Sequence, residues 1–163
     1  MFKRKKKENK KIEEKNEIES KKDCIYQLLD DKIIICEIDL DKNFTYLNKN
    51  FQNSFNYGKK ELIGENFTKI IHEDIPSCLL DRAFLTASQG DSSHPGVWEG
   101  LIKTKNKNND KCFWNNVFIQ GIYKKDILIG FSILKRETNK DKIASISEIY
   151  QEIKKTGKSK NFC

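Results

Sequence analysis

Three long stretches of strand-forming residues, 97–105, 111–121 and 127–137, follow one another with only short polar turns between them. Asn108-Asn109-Asp110 and Lys124-Lys125-Asp126 are the turns, rich in the residues that favour tight reversals. A parallel crossover needs a dozen or more residues, so these strands can pair only as antiparallel hairpins. Upstream, the β-branched run Ile33 to Ile38 reads as a buried strand and Phe44 to Leu47 as a second, with Asp39 to Lys42 turning between them. Strands therefore cluster at both ends of the core region, and no repeated strand–helix–strand unit fits between them. The expected fold class is α+β, one five-stranded antiparallel sheet with helices on one face.

The middle of the chain reads as short helices. Asn48 is suited to cap one that carries Phe51 and Phe55 four residues apart, and Gly58 to end it. Lys59 to Ile63 adds a turn stopped by Gly64, and Phe67, Ile70 and Ile71 form a further apolar patch. A longer helix is expected to start with Asp74 as cap and Pro76 in its first turn. Leu79, Leu80, Ala83, Phe84 and Ala87 supply its buried stripe, and the loop Asp91 to Gly96 follows. After Thr138, Ile143, Ile146, Ile149, Tyr150 and Ile153 mark an amphipathic helix.

Charge divides the chain further. The net charge is +7, with +6 in residues 1–11 and +4 in residues 154–163, which leaves residues 12–153 at −3. A mildly acidic body with basic ends argues against a nucleic-acid groove on the folded surface. The divisions expected are a basic tail over 1–23, a globular domain over 24–137, an amphipathic helix over 138–156 and a tail over 157–163. A helix over 14–30 is expected to flank the domain. The N-terminus lacks the apolar stretch of a secretory signal, and the apolar run Ile127 to Leu134 is too short to span a bilayer. The five cysteines, Cys24, Cys36, Cys78, Cys112 and Cys163, form no C-x-x-C pair, and a reducing, cytoplasmic setting is expected. Nucleotide-binding, zinc-protease and serine-hydrolase motifs are absent, so no enzymatic activity is expected.

The order of elements, together with specific residues, resembles the PAS domain family. Phe44 to Asn48, Phe51, Asn56-Tyr57 and Glu61 to Gly64 resemble its first half. His72-Glu73-Asp74-Ile75-Pro76 resembles its H-P-D-x-P segment, and Trp98-Glu99-Gly100, Phe113-Trp114 and Gly130-Phe131 its second half. Within that family Trp98, Gly100, Ile102, Lys103, Phe113-Trp114 and Arg136 are similar to the Aer-type aerotaxis sensors, and the layout resembles the bipartite energy-taxis systems in which a small PAS protein serves a separate receptor. The resemblance implies a sensor rather than a catalyst, non-covalently bound FAD, and Asn48, His72, Asp74, Phe84 and Trp98 as cofactor-binding positions. It also implies a membrane-bound methyl-accepting chemotaxis receptor as partner, with the chain at the inner face of the membrane through that receptor.

The sequence departs from that group in places. Ile71 stands where the group has arginine, Phe84 where it has tryptophan and Thr104 where it has asparagine, and the loop 91–97 is longer. Gly64-Glu65-Asn66 is followed by Phe67, not by the cysteine a photoreactive LOV domain requires, and residues 75–89 contain no histidine to ligate haem. For Asn48 a helix cap explains the residue as well as a ligand contact does; Asp74 is read first as a cap, Trp114 as core, and Trp98 equally as core or cofactor wall. Two rival readings stand beside the flavin sensor. One is a cofactor-free interaction module that homodimerises or binds a partner through its flanking helices. The other is a nucleic-acid-associated regulator acting through its basic tails.

Overall fold

The computed structural model describes residues 33–108, 111–138 and 140–156; the helix expected over 14–30 and both terminal tails lie outside them. Five strands form one antiparallel sheet: β1 (Ile34–Ile38), β2 (Phe44–Leu47), β3 (Val97–Lys105), β4 (Cys112–Lys124) and β5 (Ile127–Glu137). Their spatial order is β2-β1-β5-β4-β3, so the first and last of the described strands are neighbours within the sheet. Between β2 and β3 lie α1 (Lys49–Phe55), α2 (Lys59–Leu62), a 3-10 helix (Phe67–Ile70) and α3 (Ser77–Ala87). After β5 comes α4 (Lys140–Thr156).

The strand period of two sorts the side chains onto two faces. Register places Cys36 beside Ile133, Ile34 beside Lys135, and Lys135 beside Val117, so these share the inner face, under the helices. On the same face of β3 lie Trp98, Gly100, Ile102 and Thr104. The helices cover this face with aromatic rings. Phe113, Phe55, Phe51, Phe44, Phe67, Phe84 and Phe131 form an unbroken path of ring contacts with centroids 4.6 to 6.1 Å apart. The outer face carries Ile35, Leu134 and Phe118 in one row across β1, β5 and β4. At its β3 end the outer face is covered by α4: Tyr150 is buried, its hydroxyl donates to the Leu101 carbonyl at 2.8 Å, and its ring lies 6.1 Å from that of Trp114.

Three boundaries differ from expectation. Helix α1 ends at Asn56, which takes the left-handed conformation (φ 55°) two residues before Gly58; asparagine tolerates that region better than most residues. Helix α3 begins after Pro76, which lies in extended conformation and offers no side-chain cap, so Asp74 is not the cap. Strand β4 runs on to Lys124, because Lys125 and Asp126 alone form the turn, both at positive φ, the geometry that matches the twist of a hairpin. Cys36 and Cys112 are free thiols, one buried and one exposed.

Asn48 joins the helical layer to the sheet. Its Oδ1 accepts from the Phe51 amide at 2.9 Å, capping α1, and from the Ile35 amide at 3.1 Å. Its Nδ2 donates to the Ile33 carbonyl at 2.7 Å. Replacing Asn48 by alanine removes a helix cap and takes the side-chain partner from the Ile35 amide of β1 and from the Ile33 carbonyl just before it. We expect a loss of about 2–4 kcal/mol, read as a lower urea midpoint at unchanged m-value. A loss below about 0.5 kcal/mol, the range of an ordinary surface change, would show that Asn48 does not tie the layers together.

Candidate functional site

The segment after the 3-10 helix runs along the β3 edge. Ile71 forms an antiparallel bridge with Thr104, and the His72 amide donates to the Lys103 carbonyl at 3.0 Å, which covers an otherwise open sheet edge. Here two of the expected site residues meet. The His72 Nδ1 accepts from the Asp74 amide at 3.1 Å and lies 3.3 Å from Asp74 Oδ2, while Lys103 Nζ donates to that carboxylate at 2.6 Å. The Lys103 hydrogen bond, the largest cause, holds the Asp74 carboxyl below its ordinary value, against burial, which acts the other way. A cleft of about 230 Å³ opens beside this cluster, lined by His72, Glu73, Lys105 and Cys112.

The other expected positions belong to different sets of contacts. The polar atoms of the Asn48 side chain are engaged by β1 and α1. Phe84 is part of the ring path, 6.0 Å from Phe67 and 5.0 Å from Phe131. Trp98 is half-buried and folds its indole over Gly100 on its own strand, where a Cβ would collide with it; glycine there serves close packing. The structure brings His72 and Asp74 together and leaves Asn48, Phe84 and Trp98 apart from them. A flavin needs a deep slot with aromatic walls and a few free polar groups. Among the described residues the space between sheet and helices is taken up by contacting rings. An isoalloxazine would have to displace Phe84 or its neighbours, so a bound flavin requires the ring layer to rearrange.

One polar group of that interior lacks a hydrogen-bond partner, and the sequence analysis does not single it out. Lys135 is on β5, 1 % exposed, and its Nζ has no hydrogen-bond partner. It lies 4.5 Å from the Phe55 ring centroid, 5.3 Å from that of Phe51 and 5.4 Å from that of Phe67. Ring quadrupoles attract an ammonium by about 0.5–2 kcal/mol, less than the several kcal/mol lost on burying a charge. Burial accordingly pushes the Lys135 amine down to about 8. Cys36, on the same face of the adjacent strand, is pushed up to about 12, chiefly by burial. The signal is present in the strand period: Phe131, Ile133 and Lys135 alternate with outward residues, so this lysine has to point inward. In a chain so rich in lysine it does not stand out.

An open antiparallel sheet with an interior layer of rings and short crossing helices on one face defines an α+β domain. The chain matches the PAS domain family over residues 30–153 and belongs to it. Solved structures agree on the fold. The PAS domain of a protein from Colwellia psychrerythraea superposes with a TM-score of 0.58 at 17% identity, over 66% of this chain and 87% of that one. A light-oxygen-voltage domain studied with a flavin analogue gives 0.60 at 13% identity, over 83% and 96%. The dark structure of the blue-light photoreceptor Aureochrome1 LOV gives 0.58 at 16% identity, over 79% and 90%. Among the described residues no helix is long and apolar enough to cross a membrane.

Because the folded-state value of Lys135 lies below its unfolded value of 10.5, the unfolded chain retains a proton that the folded protein has released above pH about 8. Stability from this group is therefore flat below about 8 and rises with pH above it. We expect the melting temperature of a Lys135→Met variant to exceed that of the wild type, with a gap that narrows from pH about 8 to about 9; Cys36, whose ordinary value is 9.0, is present in both proteins and largely cancels from the gap. A gap that stays constant or widens over that interval contradicts a charged, buried Lys135.

Proposed function

We propose that this chain is a ligand-responsive PAS sensor of signal transduction, with its state relayed through the outer sheet face and α4 to a separate membrane chemoreceptor governing energy or redox taxis. PAS domains are typically sensory rather than catalytic, which agrees with this reading. The observation that carries it is the alternation along β5. Lys135 points into the interior, while its neighbours Leu134 and Arg136 point outward, and the Arg136 guanidinium lies 5.1 Å from the Phe118 ring centroid on the outer face. A change of partner at the Lys135 amine thus acts on the same short length of backbone that sets the outer surface. The relay is a population shift, and requires a ligand that binds one arrangement of the sheet better than the other.

The taxis reading rests on the resemblance of Trp98, Gly100, Lys103 and Arg136 to the aerotaxis group and is tested in the native host. Cells lacking this chain are expected to swim normally but to lose accumulation along gradients of electron acceptors, and expression of the wild-type chain should restore it. Unchanged taxis removes the chemoreceptor assignment.

A second reading, flavin as the interior ligand, draws on the likeness to the light-oxygen-voltage domain studied with a flavin analogue. It requires the ring layer to rearrange. Freshly purified protein decides between the two: an absorption band at about 450 nm with about one flavin per chain supports the second reading, and protein that stays colourless after addition of FAD supports the first.

A further inference from the structure

Lys135 Nζ is the one buried side-chain polar atom without a hydrogen-bond partner among the described residues. A lysine kept for packing alone would be better replaced by an apolar residue of equal length. Among the described groups no carboxylate acts on the amine; Cys36 is the titratable neighbour that does. The surroundings define what would complete the site. One cation with no second basic group balances one negative charge, so a dianion would leave charge unpaired and a neutral ligand would leave the ammonium unpaired. The faces of Phe51, Phe55 and Phe67 surround the amine and accept hydrocarbon, while the nearby inner-face Asn115 donates its Nδ2 to Thr104 Oγ1. Cys36 shares the inner face with Lys135, diagonally across the β1–β5 pair, and its protonated thiol is a weak donor toward the same space.

We infer that Lys135 is the head-group contact of an interior site for a short-chain monocarboxylate. The ligand's carboxylate accepts from the ammonium, with the Cys36 thiol as a secondary donor, and its alkyl tail lies among the phenylalanine rings. Room comes from Phe51 and Phe55, whose stacked rings, 4.6 Å apart, stand on α1. That helix has seven residues, too few to be stable by itself, and it is held at its start by Asn48. Its rings also touch Phe44 of β2 and Phe113 of β4, so their displacement is passed on to the sheet. The proposal deepens the sensor reading by naming its ligand class and rests on that reading for its consequence, but the binding is measurable on the purified chain without any receptor.

The test titrates the full chain with sodium acetate, butyrate and hexanoate at constant ionic strength, with butanol as the uncharged control. Binding is followed by calorimetry and by the Lys135 Nζ and phenylalanine ring resonances in NMR. A saturable response to butyrate or hexanoate, absent with butanol, is expected, with the Nζ resonance shifting on binding. In Lys135→Met the affinity should fall by about tenfold or more, as when a charged hydrogen bond is lost. The site is overturned if none of the three carboxylates gives a saturable response, if butanol binds as well as butyrate, or if K135M binds with wild-type affinity. Should K135M fail to fold, the Nζ resonance of the wild type decides: no shift at saturating butyrate overturns the contact. Binding with unmoved Phe118 and Arg136 resonances supports the site while removing the relay, so the two ideas fail separately.

Discussion

The pairing of β1 with β5 is the constraint on which the rest of the architecture depends. It joins residues about a hundred positions apart in sequence, Ile34 with Lys135 and Ile38 with Phe131, and so carries a large loop-closure cost that local contacts cannot repay. The cost is offset on the inner face, where Cys36, Ile38, Ile133 and Phe131 are all 5 % exposed or less. Once β1 and β5 are neighbours, hairpins place β2 on one side and β4 and β3 on the other. The helices between β2 and β3 must then cross the sheet from one edge to the other, over the inner face.

That crossing explains why the helical layer is made of short pieces. The chain has to follow the sheet rather than stand off it; α1, the 3-10 helix and α3 each contribute one or two rings to the inner face, and α2 contributes Leu62. Asn48 fixes the point of departure by bonding both β1 and the first turn of α1. At the other end of the crossing, His72, Asp74 and Lys103 fasten the chain to the β3 edge. The ion pair is part-exposed and contributes little by itself; its use is to hold the loop that launches α3. Asn48, His72 and Asp74, which resemble cofactor contacts in the aerotaxis sensors, thus make bonds in this chain that also hold the two layers in register.

The sheet was legible in the sequence because strand period, β-branched runs and turn chemistry all agree there. The ends of the elements were less so. Asp74 has the chemistry of a helix cap, yet Lys103, brought beside it by the edge pairing, takes its carboxylate, and no local pattern announces a partner 29 residues away. Gly58 looks like the end of α1, but Asn56 reaches the left-handed region first. The candidate site was legible residue by residue and not as an assembly. Asn48, Phe84 and Trp98 each perform a packing or capping task that the sequence also allowed. Lys135 was hidden because its signal lies in its phase within the strand and not in its identity.

That phase is also what gives the lysine consequence. A charged side chain at an inward position of a central strand conflicts with the pattern around it, and such conflicts concentrate where a protein does something besides fold. At the neighbouring position, Arg136 satisfies its charge in the open, over the Phe118 ring on the opposite face. The two cations therefore sit back to back on one strand, one solvated and one sealed among rings. Neutralising the sealed one removes a penalty borne by β5 alone, and β5 is hydrogen-bonded to both β1 and β4. A strand in that position cannot relax without moving partners on both sides, which is the mechanical requirement for an interior event to be felt across the outer face of the sheet.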